Sequence, residues 1–249
     1  MAKIRVACIL TVVALSVRAQ PTPSEERPVS WKLIVPNLVE DQKNIWIFPA
    51  HVAKGKHLLP TFVVLGTTAA LVAADPPIAR YFRKNESFHD FNHVLGNSVT
   101  IGAIVAAPVA FYLTGVFTKD EEAKHTGLLA GEAVASVEVP NVFLRNTIRR
   151  ERPSDIPPDG NFSNTWFSSG GNPLKAKASF PSGHMAAAMA VATVIARRNP
   201  QHRWVPFAAY GIAGLIGFSR ISNSTHFPSD VFFGGALGYS VARFVVLRQ

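Results

Sequence analysis

Cysteine is all but missing: the one residue, Cys8, lies within MAKIRVACILTVVALSVRAQ, where Lys3 and Arg5 precede an apolar run from Val6 to Val17. This is the pattern of a secretory signal peptide with cleavage after Ala19, so residues 1–19 are expected to be removed. A chain cut there has no thiol, which excludes disulfides, thiolate metal sites and cysteine catalysis. Charge is also scarce, at 16% of residues against about a quarter in an average globular chain. Acid is scarcer than base, with 16 Asp and Glu against 25 Lys and Arg and a net charge of +9, which favours an anionic partner. The basic residues are scattered and form no arm or recognised motif, so nucleic acid is not the expected partner. Phosphorylated small molecules or anionic lipid headgroups fit better. Long uncharged runs are rare too: VLGNSVTIGAIVAAPVAFYLTGVFT, Val94 to Thr118, is the clean one above twenty residues.

What is there is a series of apolar segments separated by charged loops. At 249 residues the chain suits one large domain. Residues 20–57 read as an N-terminal extracytoplasmic segment: a Pro-rich linker, PTPSEERP, then a mixed stretch whose Trp31, Trp46 and Phe48 could lie at a membrane surface or pack on the domain. From residue 58 the spacing predicts six helices, at about 58–74, 94–118, 127–148, 183–196, 204–219 and 228–247. No strand-type alternation is sustained between them, so the expected fold is all-α, a helical bundle of about six helices embedded in a membrane and spanning residues 58–249. Gly234 with Gly238, and Gly211, Gly214 and Gly217, fit close helix packing.

Three polar clusters interrupt the apolar series, each at a helix end. In RNTIRRERP, Arg145 and Arg152 can converge on one oxyanion, because guanidinium forks donate paired hydrogen bonds and stay charged. In FPSGHMAAAMA, Pro181, Ser182 and Gly183 turn the chain into a helix whose first N–H groups, with the Ser182 hydroxyl, make an anion site beside His184. The bland alternative there is a Ser N-cap and a surface histidine. In SRISNSTHFPSD, Ser219 and Arg220 end one helix, while the four-residue step from His226 to Asp230 lets the carboxylate hold one imidazole nitrogen and leave the other as a nucleophile.

Arg145-x6-Arg152-Pro153, Pro181-Ser182-Gly183-His184 and Ser219-Arg220-x5-His226-x3-Asp230 resemble, in order and spacing, the three motifs of the type 2 phosphatidic acid phosphatase family. That superfamily also includes bacterial nonspecific acid phosphatases and vanadium haloperoxidases. The motifs cover Arg145 to Asp230, and residues 20–57 carry none of the likeness. One departure is Arg145, where the family often has lysine. The resemblance implies that Arg145, Arg152, Arg220, Ser182 and the Gly183 backbone hold the phosphoryl oxygens. It implies that His226, oriented by Asp230, forms a phosphohistidine, and that His184 protonates the leaving group and then activates water. No metal or other cofactor is expected. The substrate is expected to be a phosphorylated lipid or small molecule; a soluble periplasmic acid phosphatase and a vanadate-dependent haloperoxidase are the alternatives. A non-enzymatic membrane protein with a decayed site would lack at least one of His184, Arg220 and His226, and none is lacking.

Orientation raises a conflict. RRNPQHR, Arg197 to Arg203, has three arginines and suits a cytoplasmic loop, which puts the three clusters on the extracytoplasmic face of the cell envelope. An exported N-terminus followed by three crossings would instead put Arg145 to Pro153 in the cytoplasm. The expectation is that 58–74 or 127–148 does not span, or that the bundle is soluble. The insert between the first and second clusters is rich in Gly, Ser, Asn and Pro, and Trp166, Phe167, Lys175 and Lys177 are expected to influence substrate choice.

Overall fold

The computed structural model describes residues 27–168 and 178–248; the signal-peptide segment, Cys8, Lys175 and Lys177 lie outside them. The described chain is helical, with eight α-helices: α1 (Ile34–Ala53), α2 (Leu58–Lys84), α3 (His89–Val94), α4 (Asn97–Thr118), α5 (Glu121–Ile148), α6 (Gly183–Arg198), α7 (Trp204–Ser222) and α8 (Pro228–Val241). A π-helical turn, Ala242–Val246, extends α8. The six expected helices are all present, and α1 and α3 are additions.

Local chemistry sets several of the boundaries. Asp120 caps α5, its side chain accepting from the Ala123 N–H at 3.1 Å, with Glu121 and Glu122 in the positive first turn. Pro228 opens α8 where a missing N–H costs nothing, and the Asp230 side chain reaches back to the Phe227 N–H at 2.8 Å. More surprising is α2, which passes through Pro76 and Pro77 to Lys84 although each proline removes a backbone donor.

Short, small-residue α6 is the hub. Its Ala186, Ala187, Ala188, Ala190, Val191 and Val194 are buried between α5, α7 and α8. The glycines of α8 have a steric reason: a Cβ on Gly234 would sit 2.5 Å from the Ser182 carbonyl oxygen, and one on Gly238 would sit 2.1 Å from that of Ala186. Gly211 and Gly214 face open space and serve no such contact.

The outside of the bundle is apolar. Four helical stretches are long and apolar enough to cross a membrane: Leu58–Lys84, Asn97–Thr118, Glu121–Asp155 and Trp204–Ser222. Only 11% and 17% of the apolar windows in the first two are buried, so residues such as Phe62, Leu65, Ile101, Val105, Val109 and Phe117 point outward, as an integral membrane protein requires. The two segments of which one was expected not to cross, 58–74 and 127–148, both belong to these stretches.

The N-terminal segment docks along α5, from Glu132 and Ser136 to Phe143, whose ring meets that of Trp46 edge to face at 4.9 Å. Arg27, Asp41 and Glu132 form a buried network, with Arg27 Nη1 2.6 Å from Asp41 Oδ1 and Nη2 2.6 Å from Glu132 Oε2. Asn37 Nδ2 donates to Glu132 Oε1 at 3.1 Å, and Ser136 Oγ donates to Asp41 Oδ2 at 2.8 Å. Arg248, at the far end of α8, pairs with Glu40 at 2.6 Å.

Candidate active site

One end of the bundle gathers the three sequence clusters. The C-terminal end of α5 brings Arg145, the segment beyond it Arg150 and Arg152, the start of α6 Ser182 to His184, the end of α7 Arg220, and the start of α8 Asp230 with His226 just before it. This follows from antiparallel packing, since α5 and α7 end where α6 and α8 begin.

The histidine before α8 is held in one orientation. His226 Nδ1 lies 2.7 Å from the Ser179 carbonyl oxygen, so this nitrogen carries the proton and donates, leaving Nε2 with the lone pair. Asp230 Oδ2 is 3.8 Å from Nδ1, beyond hydrogen-bond range. The expected direct imidazole–carboxylate bond is therefore replaced by an indirect one: Ser179 Oγ donates to Asp230 Oδ2 while Ser179 O receives the imidazole. Burial pushes the His226 pKa down, and Arg152 and Arg145 add to this against the opposing pull of Asp230.

At the start of α6 the Ser182 backbone occupies the N-cap position, but its hydroxyl makes no capping bond. Ser182 Oγ, His184 Nε2, Arg145 Nε and Arg152 Nε are all buried with no hydrogen-bond partner. Buried polar atoms almost always have partners, so four orphans, three of them donors or potential donors on cations and a hydroxyl, mark a place built for an anion. Burial, then the charges of Arg220, His226, Arg145 and Arg152, lower the His184 pKa to about 4. Gly183 leaves room for its neighbours: a Cβ there would meet Arg145 Nη2 at 2.5 Å and Asn141 Nδ2 at 2.8 Å, so those side-chain ends would have to shift.

Arg220 differs from the other two site arginines. It is fully buried, and its guanidinium is held by the start of α4 and the turn before it, through Asn97 Oδ1, the Leu95 carbonyl and Thr100 Oγ1 at 3.4 Å, and by Ser219 Oγ of its own helix at 2.9 Å. Its charge reaches His184, but most of its donors are directed at the protein.

Several residues that the sequence clusters did not single out build the surroundings. Arg150 is buried, with Nη1 2.6 Å from Asp230 Oδ1 and Nη2 2.7 Å from Asp75 Oδ2. Asn141 is fully buried and donates to Glu138 Oε2 at 3.2 Å, one helical turn before Arg145. Of the insert residues, Trp166 stacks over the Arg150 guanidinium at 4.2 Å and packs against Phe180. Phe167 is 71% exposed at φ +58°, with its N–H on the Ile148 carbonyl at 3.1 Å. Among the described residues, no three His, Cys, Asp or Glu side chains converge as a metal site would require.

Residues 126–249 match the family model described as the PAP2 superfamily. A stretch of 67 residues is 43% identical to a Porphyromonas gingivalis protein described as lipid A 1-phosphatase; the match covers 25% of this chain and 14% of that relative's length. Among solved structures, LpxE of Aquifex aeolicus is similar at 23% identity and a TM-score of 0.43, over 73% of this chain and 93% of that one. A transmembrane PAP2 type phosphatidylglycerolphosphate phosphatase from Bacillus subtilis is similar at 22% identity and a TM-score of 0.43, over 83% and 94%.

Proposed function

Because the chain belongs to the PAP2 superfamily through residues 126–249, we propose that it is a phosphatase that hydrolyses lipid phosphomonoesters or pyrophosphates without a metal ion. The observation that carries this reading is the set of buried, unpartnered polar atoms from Arg145, Arg152, Ser182 and His184 around one helix start. A phosphoryl group has the oxygens to satisfy them, and the positive end of α6 adds its own N–H groups.

In this reading His226 Nε2 attacks phosphorus and the bond to the leaving oxygen breaks, giving a phosphohistidine. Protonated His184 gives its proton to the leaving alkoxide. Neutral His184 then takes a proton from water, the oxygen attacks phosphorus, and cleavage of the phosphorus–nitrogen bond releases phosphate and restores His226. Arg145 and Arg152 bind the equatorial oxygens directly, and Arg220 contributes mainly its charge.

A lipid substrate is favoured by the outward apolar surface, which keeps the site beside a bilayer, and by the name of the partly matching relative. An extracytoplasmic site is supported by the loop of Arg197 to Arg203, which is strongly basic and lies at the other end of α6 and α7.

The test is phosphate release by purified wild type and by His226→Ala, with EDTA present, on phosphatidic acid, undecaprenyl pyrophosphate and p-nitrophenyl phosphate. EDTA-resistant release that prefers the lipids and vanishes in the variant supports the reading. No release from any of the three would overturn it, and vanadate-dependent peroxidase activity would then be the assay to run.

A further inference from the structure

Asp75 lies on α2, well before residue 126 where the family match begins, yet it is tied to the proposed nucleophile. It is fully buried. Its Oδ2 accepts from Arg150 Nη2 at 2.7 Å and from the Ser229 hydroxyl, and its Oδ1 accepts from the Ser229 N–H at 3.1 Å. The same guanidinium gives its Nη1 to Asp230 Oδ1 at 2.6 Å and to Ser229 Oγ at 2.7 Å. Arg150 itself cannot drift: its Nε donates to Thr165 Oγ1 at 3.0 Å, and its plane lies 3.9 Å from the Phe227 ring and 4.2 Å from the Trp166 ring.

One cation therefore spans two carboxylates in a place closed to water. A buried ion pair joining α2 to α8 could serve folding alone at many positions along the two helices. This one is built on the carboxylate that stands 3.8 Å from His226 Nδ1 and shares Ser179 with it. Asp75 also holds the Ser229 N–H and hydroxyl, so it fixes the first turn of α8 on which Asp230 sits.

We propose that Asp75 is a positioning residue for His226: through Arg150 and Ser229 it fixes the Asp230 carboxylate and keeps Arg150 from neutralising it. The proposal rests on the reading of His226 as the phosphoryl acceptor. With Asp75 in place, the Asp75–Arg150–Asp230 group carries one net negative charge; with asparagine there it carries none. A less negative surrounding disfavours a cationic imidazole, so the His226 titration must move to lower pH when Asp75 is neutralised. The other charges that face the ring are Arg145 and Arg152 from α5 and its exit, His184 from α6 and, through His184, Arg220 from α7; the substitution leaves all of them in place.

The experiment compares full-length wild type, Asp75→Asn and Asp75→Glu in detergent micelles. Histidine ring nitrogen NMR follows the titration, with the His226 signal identified by its loss in His226→Ala, and initial rates are measured on phosphatidic acid. Asp75→Asn is expected to lower the midpoint by roughly half a pH unit or more. It is also expected to reduce kcat by about 10- to 100-fold with KM within about twofold. Asp75→Glu, which restores the charge, recovers most of both. A folded Asp75→Asn protein with wild-type midpoint and kcat would overturn the proposal. If Asp75→Asn does not fold, Arg150→Lys, which keeps a cation but loses the fork, must lower kcat at constant KM; unchanged kcat would overturn it equally. A midpoint that falls in a protein without phosphatase activity would keep the coupling and sink the reaction assignment.

Discussion

His226 Nδ1 donates to the carbonyl oxygen of Ser179 at 2.7 Å, and the hydroxyl of the same serine donates to Asp230. Ser179 thus mediates a relation that a histidine and an aspartate four residues apart would be expected to make directly. The backbone half of that link survives replacement of the side chain. Ser179→Ala is therefore expected to lower kcat by no more than about 10-fold, since a typical hydrogen bond contributes about 1 kcal/mol. Asp230→Ala must do far more harm, because it removes one of the two carboxylates that hold Arg150 and leaves the Phe227 N–H without its buried acceptor. Rates on p-nitrophenyl phosphate for both variants check the order; equal losses would show that the serine hydroxyl, and not the carbonyl, orients the ring.

Gly183→Ala tests the phosphoryl cradle sterically. The added Cβ would overlap Arg145 Nη2 at 2.5 Å and Asn141 Nδ2 at 2.8 Å, so the guanidinium has to leave its place at the start of α6. Loss of one such donor is expected to cost about 100-fold in kcat/KM, with the thermal transition of the purified protein little changed. Wild-type kcat/KM in this variant would remove Arg145 from the cradle.

The two histidines set the pH dependence. The His226 pKa is pushed below its ordinary value, so the ring stays neutral and nucleophilic to lower pH and the acid limb of activity is displaced downward. The His184 pKa lies at about 4 without a ligand, so the proton that it gives must be supplied or stabilised by the bound phosphoryl group. Consequently kcat/KM is expected to fall as the pH rises above about 4, while kcat, which reports the occupied site, holds to higher pH. His184→Ala should lose more activity on a lipid phosphate, whose alkoxide needs a proton, than on p-nitrophenyl phosphate, whose phenolate does not. Parallel losses on both substrates would contradict the assignment of His184 as the acid.

Arg27 meets Glu132 thirteen positions before Arg145 on the same helix, or about 20 Å along its axis. The helices α2, α4 and α5 supply three membrane-length stretches before the first cluster. An exported residue 20 and an extracytoplasmic site cannot both follow from three crossings, so the expected assignment of 20–57 to the extracytoplasmic side gives way if the site faces outward. In a Cys8→Ser background, Ser163→Cys is expected to react with a membrane-impermeant maleimide in intact cells, while Gln201→Cys and Ser30→Cys react only after lysis. Outward labelling of Gln201→Cys would reverse the orientation.

The residues proposed to hold the phosphoryl group were legible in the sequence because each cluster is local: a few residues around a helix end, with their own turn and capping chemistry. The parts that hold them were not. Asp75 is 154 residues from Ser229, and it stands before Pro76 and Pro77, which read as the end of a helix that in fact continues to Lys84. Arg150 reads as one more arginine of RNTIRRERP until the tertiary fold buries it between Phe227 and Trp166. Helix α1 was missed because Pro36, Pro49 and its scattered charges hide any apolar stripe; its buried side chain is Asp41, whose partners come from α5 and from Arg27. The membrane stretches were underestimated for a related reason: Glu132 counts against insertion in the sequence, and a salt bridge to Arg27 removes the objection.

In the proposed reaction His226 carries the phosphoryl group. The most direct measurement is rapid acid-free quenching of the full-length protein during turnover of a radiolabelled phosphatidic acid, followed by mapping of protein-bound label. A base-stable, acid-labile phosphoramidate is expected on His226, absent in His226→Ala and accumulating when His184 is replaced and hydrolysis slows. Turnover with no label on His226 at any quench time, or undiminished turnover by His226→Ala, would contradict it.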